Sequence, residues 1–267
     1  MKTIRSCVVF AALLIFIFTA AAASAGDNAI VENFTKALEA GSKGNFKKAE
    51  KLLKKSLNEY PLFAQAEIML NITEDVTNKK INARTAKHIF TGEALSQPDS
   101  LDKSIKEFNL AIKAAPKYSN AYTLRAMVRS LKNDLDGATA DLSRAMKLDP
   151  DNFMAYYLRG TLYASKNIST HALSDLDKAI ELNPKMAAAY NNRAGLHYSK
   201  GEFDLAIADI SSALKLAPKA PSLYQIRGLL YTARLSDSTK GCADLDQACK
   251  LGLCYQFNQA KERGICK

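Results

Sequence analysis

Apolar and polar residues are distributed along this chain in a pattern that recurs about every 34 residues. Each interval holds two amphipathic stretches of helix length, separated by a short polar turn. In one interval the stretches are residues 153–166 and 169–182, with Asn167 at the turn. Prolines close four successive intervals because proline cannot continue a helix, and they stand at Pro116, Pro150, Pro184 and Pro218. The pattern predicts an all-α chain of paired helices.

Individual residue types keep the same period. A tyrosine recurs four times, and an arginine follows three residues after each one; these are Tyr122, Tyr156, Tyr190, Tyr224 and Arg125, Arg159, Arg193, Arg227. A glycine or alanine comes directly after each arginine, and two alanine positions recur in the second stretch. Small residues allow two antiparallel helices to approach closely. Six positions with one shared period indicate a repeat architecture.

The period, the Tyr-x2-Arg-Gly/Ala pattern, the paired alanines and the terminal proline resemble tetratricopeptide repeats (TPR). Tyrosine stands where that family usually has tryptophan, and arginine stands where it usually has leucine. The resemblance implies a superhelical solenoid of helix-turn-helix units. We expect an array over residues 85–252, with units at about 85–118, 119–152, 153–186, 187–220 and 221–252.

The N-terminal third departs from the period. A weak repeat covers about 30–63, but the interval from Pro61 to Pro116 is too long for one period and too short for two. The residues near 64–84 therefore do not fit a repeat. They indicate an extra helix, a lengthened first helix or a boundary between two blocks. We expect residues 26–84 to form the weak repeat and an irregular helical insertion.

Residues 1–25 have the composition of a secretory signal peptide. Lys2 and Arg5 precede an apolar run over 8–23, and Ala23-Ser24-Ala25 matches a cleavage signal. Cleavage near Ala25/Gly26 would leave a periplasmic or secreted protein without a transmembrane segment. An uncleaved membrane anchor is the alternative.

Four cysteines cluster near the C-terminal end of the sequence, which in an exported protein suggests two disulfides. Cys242 and Cys249 lie about 10 Å apart on one helix and cannot bond. A hairpin at Gly252 would bring Cys249 close to Cys254, so that these two could bond. Cys242 would then bond with Cys266. Residues 253–267 would then form a capping helix; a zinc site is the competing interpretation, but the spacing is unusual for one.

Each arginine of the repeat has a matching acid. Asp141, Asp175 and Asp209 follow the first three arginines by sixteen residues, and Asp244 follows Arg227 by seventeen. In a helical hairpin these positions face each other, so we expect structural ion pairs. An arginine row that binds an anionic ligand is the alternative, but such a row would not need one carboxylate for each arginine.

The formal net charge is +10, yet most lysines are dispersed along solvated helix faces, with a small concentration at residues 47–55. Binding of an anionic polymer or surface is therefore a second hypothesis. No catalytic motif, metal pattern or phosphate loop appears, and His88, His171 and His197 are isolated. We expect no enzyme activity, no cofactor, no metal and no nucleic-acid ligand.

By the resemblance, first helices line the concave side of the solenoid and bind ligands there. The positions that map to this side are neutral, with amides and tyrosines; they are Thr123, Met127, Met154, Tyr157, Thr161, Asn191, Asn192, Tyr198, Gln225 and Leu229. Amides suit a peptide backbone. We expect a scaffold for a protein or peptide partner in cell-envelope assembly, and not for an acidic tail, since only Asn192 matches the family's basic clamp.

Overall fold

The structure is a computed structural model that describes residues 27–59, 64–233 and 237–267. The segment interpreted as a signal peptide, residues 1–25, lies outside these residues. None of the helices in the described part is both long and apolar enough to cross a membrane.

The described residues form fourteen α-helices, one short 3-10 helix and no strand. In chain order the α-helices are α1 Asp27–Ser42, α2 Phe46–Glu59, α3 Ala64–Thr77, α4 Ala83–Ala94, α5 Leu101–Ala114, α6 Ser119–Leu131, α7 Leu135–Leu148, α8 Phe153–Ser165, α9 Ser169–Leu182, α10 Ala187–Lys200, α11 Phe203–Leu216, α12 Pro221–Ala233, α13 Ser238–Lys250 and α14 Tyr255–Glu262. The predicted all-α class is confirmed, and the two stretches predicted at 153–166 and 169–182 agree with α8 and α9 to within one residue.

The chain divides into two compact units after Ser165, and each is described by itself. In the first unit α1 packs on α2, α4 on α5 and α6 on α7, so consecutive helices form hairpins. Helix α1 also packs against α4, where a Cβ added at Gly41 would lie 2.1 Å from Phe90 Cδ1. A larger residue than glycine at this crossing would therefore collide with the Phe90 ring.

The residues that break the repeat period form a separate helix, α3, which packs against α2. The hydroxyl of Tyr118, directly before α6, donates a 2.7 Å hydrogen bond to Asp75 Oδ2 near the end of α3. Lys80 Nζ lies 3.0 Å from the other oxygen of the same carboxylate. The insertion is thus held to the repeat array by a polar contact between residues 43 positions apart.

The turns inside the repeat pairs use a left-handed backbone. Asn133, Asn167 and Gly201 occupy the same position of successive repeats and have φ of 63°, 59° and 80°. Asparagine and glycine adopt this conformation at little cost, which explains why these residues end the first helices. The predicted turn positions are confirmed.

In the second unit α10 pairs with α11 and α12 with α13, while α9 packs on α10 and α14 on α13. Helix α13 ends in a Schellman turn: Gly252 has φ 99°, and the Leu253 N–H donates to the Ala248 carbonyl oxygen at 2.9 Å. Because this turn includes Leu253, the last helix begins at Tyr255 and covers Tyr255–Glu262.

Candidate functional site

Three of the repeat arginines form bidentate pairs with the acids predicted for them. Arg125 donates from Nε to Asp141 Oδ2 at 2.8 Å and from Nη2 to Oδ1 at 2.6 Å. The same two-bond geometry joins Arg193 to Asp209 and Arg227 to Asp244. All three carboxylates are buried. The fourth predicted pair, Arg159 with Asp175, has its members in different units and stays a prediction.

Each arginine also uses Nη1, which the sequence reasoning missed. This group donates to a polar side chain sixteen residues earlier, on the second helix of the preceding repeat; the contacts are Arg125–Asn109 at 2.6 Å, Arg159–Ser143 at 3.3 Å, Arg193–Asp177 at 2.7 Å and Arg227–Ser211 at 2.9 Å. One guanidinium therefore joins two successive repeats. This contact could have been predicted from the sequence, because a hydrogen-bonding residue stands sixteen positions before every repeat arginine.

An aromatic ring covers each guanidinium. Arg125, Arg193 and Arg227 lie 5.5–6.0 Å from the centroid of the tyrosine three residues before them, a cation–π distance. Arg159 instead lies over Tyr163, at 5.7 Å. Hydrogen bonding to Asp209 raises the pKa of Arg193, so its charge is fixed. Two carboxylate bonds, a third polar contact and a ring leave the paired arginines little capacity for an anionic ligand.

The residues mapped to the ligand-binding side differ in accessibility. Thr123, Met127, Met154 and Tyr157 are buried, with at most 7% of their surface exposed. Thr123 Oγ1 accepts a 3.2 Å hydrogen bond from the Asn152 amide, which shows that it serves packing inside the first unit. This burial corrects the expectation for these four side chains, because a ligand cannot touch them unless the helices move.

The other six mapped residues are half-buried: Thr161, Asn191, Asn192, Tyr198, Gln225 and Leu229. Thr161 Oγ1 donates to the Tyr157 carbonyl oxygen within its own helix, at 2.9 Å. Leu229 packs against the apolar cluster of the C-terminal cap. Asn191 on α10 and Gln225 on α12 occupy the same position of successive repeats. These two amides are the remaining candidates for recurring contacts to a ligand.

Two disulfides close the end of the second unit. Cys242 is bonded to Cys266, and Cys249 is bonded to Cys254 across the Schellman turn. Cys266 is buried with Leu245 and Ala260 in one apolar cluster. The bonds therefore hold α14 and the C-terminal residues against α13, as a terminal cap requires.

A polar cleft of about 240 Å³ lies in the first unit, between α3 and the turn from α7 to α8. Four carboxylates line it, from Glu74, Asp75, Asp149 and Asp151, and Lys80 is the cation among its lining residues. Asp75, followed by Asp149 and Glu74, raises the pKa of Lys80. The sequence reasoning missed this cleft because its two walls come from segments that are separated by two further helical hairpins in the chain.

Paired helices with a recurring residue signature define the class of protein: an α-helical repeat protein whose recurring arginines pair with an aspartate of their own repeat and also contact the preceding repeat. A family model described as Tetratricopeptide repeat matches residues 169–221. This match identifies a tetratricopeptide repeat within helices α9 to α11, over about a fifth of the chain. In the comparison with curated proteins, nothing matches.

Solved structures with the same fold include three that are similar over most of their own length. PilF of Pseudomonas aeruginosa is 15% identical, covers 89% of this chain and 100% of its own, and has a TM-score of 0.60. MamA of Desulfovibrio magneticus RS-1 is 16% identical over 64% and 96%, with a TM-score of 0.55. YrrB, described as a TPR protein with an unusual peptide-binding site, is 19% identical over 72% and 97%, with a TM-score of 0.53. At these identities the likeness concerns the fold.

Proposed function

We propose that this chain is a non-enzymatic scaffold that binds a protein or peptide partner. The observation that carries the proposal is the pair of half-exposed amides, Asn191 and Gln225, at the same position of successive first helices. The paired arginines are engaged within the fold, and the side chains at the mapped positions of these helices are neutral rather than anion-binding.

Amides at a repeated position suit an extended peptide. A primary amide can donate to a backbone carbonyl oxygen and accept from a backbone N–H at the same time. Two such groups, one repeat apart, would engage two separate peptide units of a single strand. Tyr198 adds aromatic contact area nearby on α10, where its ring lies 5.7 Å from that of Phe203.

We also propose that this scaffold works outside the cytoplasm, in assembly of the cell envelope. The two disulfides support an oxidising compartment, because such bonds rarely persist in the cytosol. The composition of residues 1–25 supports export. Binding of an anionic polymer or surface through the basic exterior remains the second hypothesis.

The test uses a library of unstructured twelve-residue peptides displayed on phage. A selected peptide is then titrated calorimetrically against the wild type and against N191A/Q225A. Losing two hydrogen-bonding amides should weaken binding by about 1 kcal/mol each, or roughly thirtyfold together. The control is N58A/N258A, which removes two exposed amides from α2 and α14. Equal affinity of both variants and the wild type, or no selected peptide at all, would refute the proposal.

A further inference from the structure

The outward face of α2 consists almost entirely of lysines. Its five lysines are all exposed, and they are Lys47, Lys48, Lys51, Lys54 and Lys55. Ala49, Leu53 and Ser56 on the opposite side are fully buried in the first unit. At 3.6 residues per turn, the five ammonium groups fall within an arc of about 120° and a length of about 12 Å. Asn58 is the other residue of this arc, which we call the lysine face.

Neighbouring acids neutralise the lysine face only in part. Lys54 Nζ lies 2.6 Å from Glu50 Oε1, one turn earlier. On α1, Lys36 and Lys43 are the chief cause of the lowered pKa of Glu32 and Glu39, respectively, and the lysine face adds only a weaker long-range attraction. No carboxylate among the described side chains forms an ion pair with Lys47, Lys48 or Lys51. The face therefore presents a net positive charge to solvent.

The corresponding helix of the next pair differs. Helix α5 also exposes three lysines, Lys103, Lys106 and Lys113, but Asp102 and Asn109 are exposed among them. Asp102 forms an ion pair with Lys132, at the end of α6. Mixed charge of this kind is the ordinary solvated face of a helix, so the uniform face of α2 is a local feature and not a general property of the second helices.

We propose that the lysine face binds a membrane surface that contains anionic lipids. Clusters of four to eight basic residues on a helix suit such surfaces, where each ammonium group meets laterally mobile headgroups. The face is a short patch of flexible lysine side chains. It carries neither arginine nor aromatic residues, which nucleic-acid sites use for phosphate and base contacts. This inference is independent of the peptide proposal, which concerns α10 and α12.

The test compares two triple variants of the full chain, K47Q/K51Q/K55Q on the lysine face and K103Q/K106Q/K113Q on α5. Each lowers the formal charge from +10 to +7. Binding is measured by co-sedimentation with vesicles of two parts phosphatidylcholine to one part phosphatidylglycerol. Neutral phosphatidylcholine vesicles serve to subtract any contribution that does not depend on charge. Circular dichroism melts establish that both variants are folded.

A lysine near an anionic bilayer raises affinity about fivefold, so the lysine-face variant should lose on the order of a hundredfold. The α5 variant should lose less than tenfold, and binding by the wild type should fall steeply as salt rises. Equal losses in the two variants would mean that net charge alone acts, which overturns the proposal. Wild-type binding to heparin or duplex DNA without charge-dependent binding to anionic vesicles would overturn it as well.

Discussion

A buried carboxyl group in the first unit makes stability depend on pH. Glu93 lies on α4 with 9% of its surface exposed, and burial raises its pKa from 4.5 to about 7. No cation among the described side chains offsets this cost. Since one pKa unit corresponds to about 1.4 kcal/mol, ionising Glu93 costs the fold about 3 kcal/mol relative to the protonated form.

The direction in which stability changes with pH follows from proton binding. Between pH 4.5 and 7 the folded chain keeps the Glu93 proton, while the unfolded chain has lost it, so unfolding releases a proton and stability falls as pH rises. The contribution of the neutral carboxyl is fully present below pH 4.5 and is lost as pH passes 7. Glutamine has a similar shape and no charge, so Glu93→Gln should remove this dependence.

The assay is urea unfolding followed by circular dichroism, at intervals from pH 4.5 to 8. We expect the free energy of unfolding of Glu93→Gln to match the wild type near pH 4.5 and to exceed it by up to about 3 kcal/mol at pH 8. Glu262→Gln, at an exposed position, should leave the pH profile unchanged. A constant difference between Glu93→Gln and the wild type at every pH would refute the reasoning.

Two further predictions concern the second unit. Asp244→Ala leaves the partly buried Arg227 without its carboxylate and should cost about 3 kcal/mol in urea unfolding; in a double-mutant cycle with Arg227→Leu, additive losses would contradict the pairing. Replacing Cys242 and Cys266 by serine opens the loop that their disulfide closes and should cost about 3 kcal/mol, measured by thermal melting; a melting curve equal to that of the wild type would contradict a constraining role.

The parts of the molecule set by local, repeated residues could be predicted from the sequence. Proline and asparagine positions located helices α8 and α9, since they act on the backbone next to them. The spacing of arginine and aspartate also located the bidentate pairs, because both members lie in one helical hairpin.

Features that depend on contacts between distant segments could not be predicted from the sequence. The contact of Tyr118 with Asp75 joins a repeat to an insertion that has no periodic signal. The buried Thr123 accepts a hydrogen bond from Asn152, which belongs to the turn before the next repeat. A helical wheel for one helix cannot show which of its exposed positions another turn will cover.

The third contact of each arginine also bears on how such a chain could be recombined. The prolines suggest natural places to cut one repeat from the next, yet a cut at Pro184 would separate Arg193 from Asp177 of the preceding second helix. In a repeat transferred to another protein, the Arg193 guanidinium would then lack its hydrogen bond to Asp177. A transplant that keeps every bond of Arg193 therefore needs three helices, α9, α10 and α11, because Asp177 lies before the arginine and Asp209 after it. Such a module begins half a repeat before the boundary that the sequence period marks.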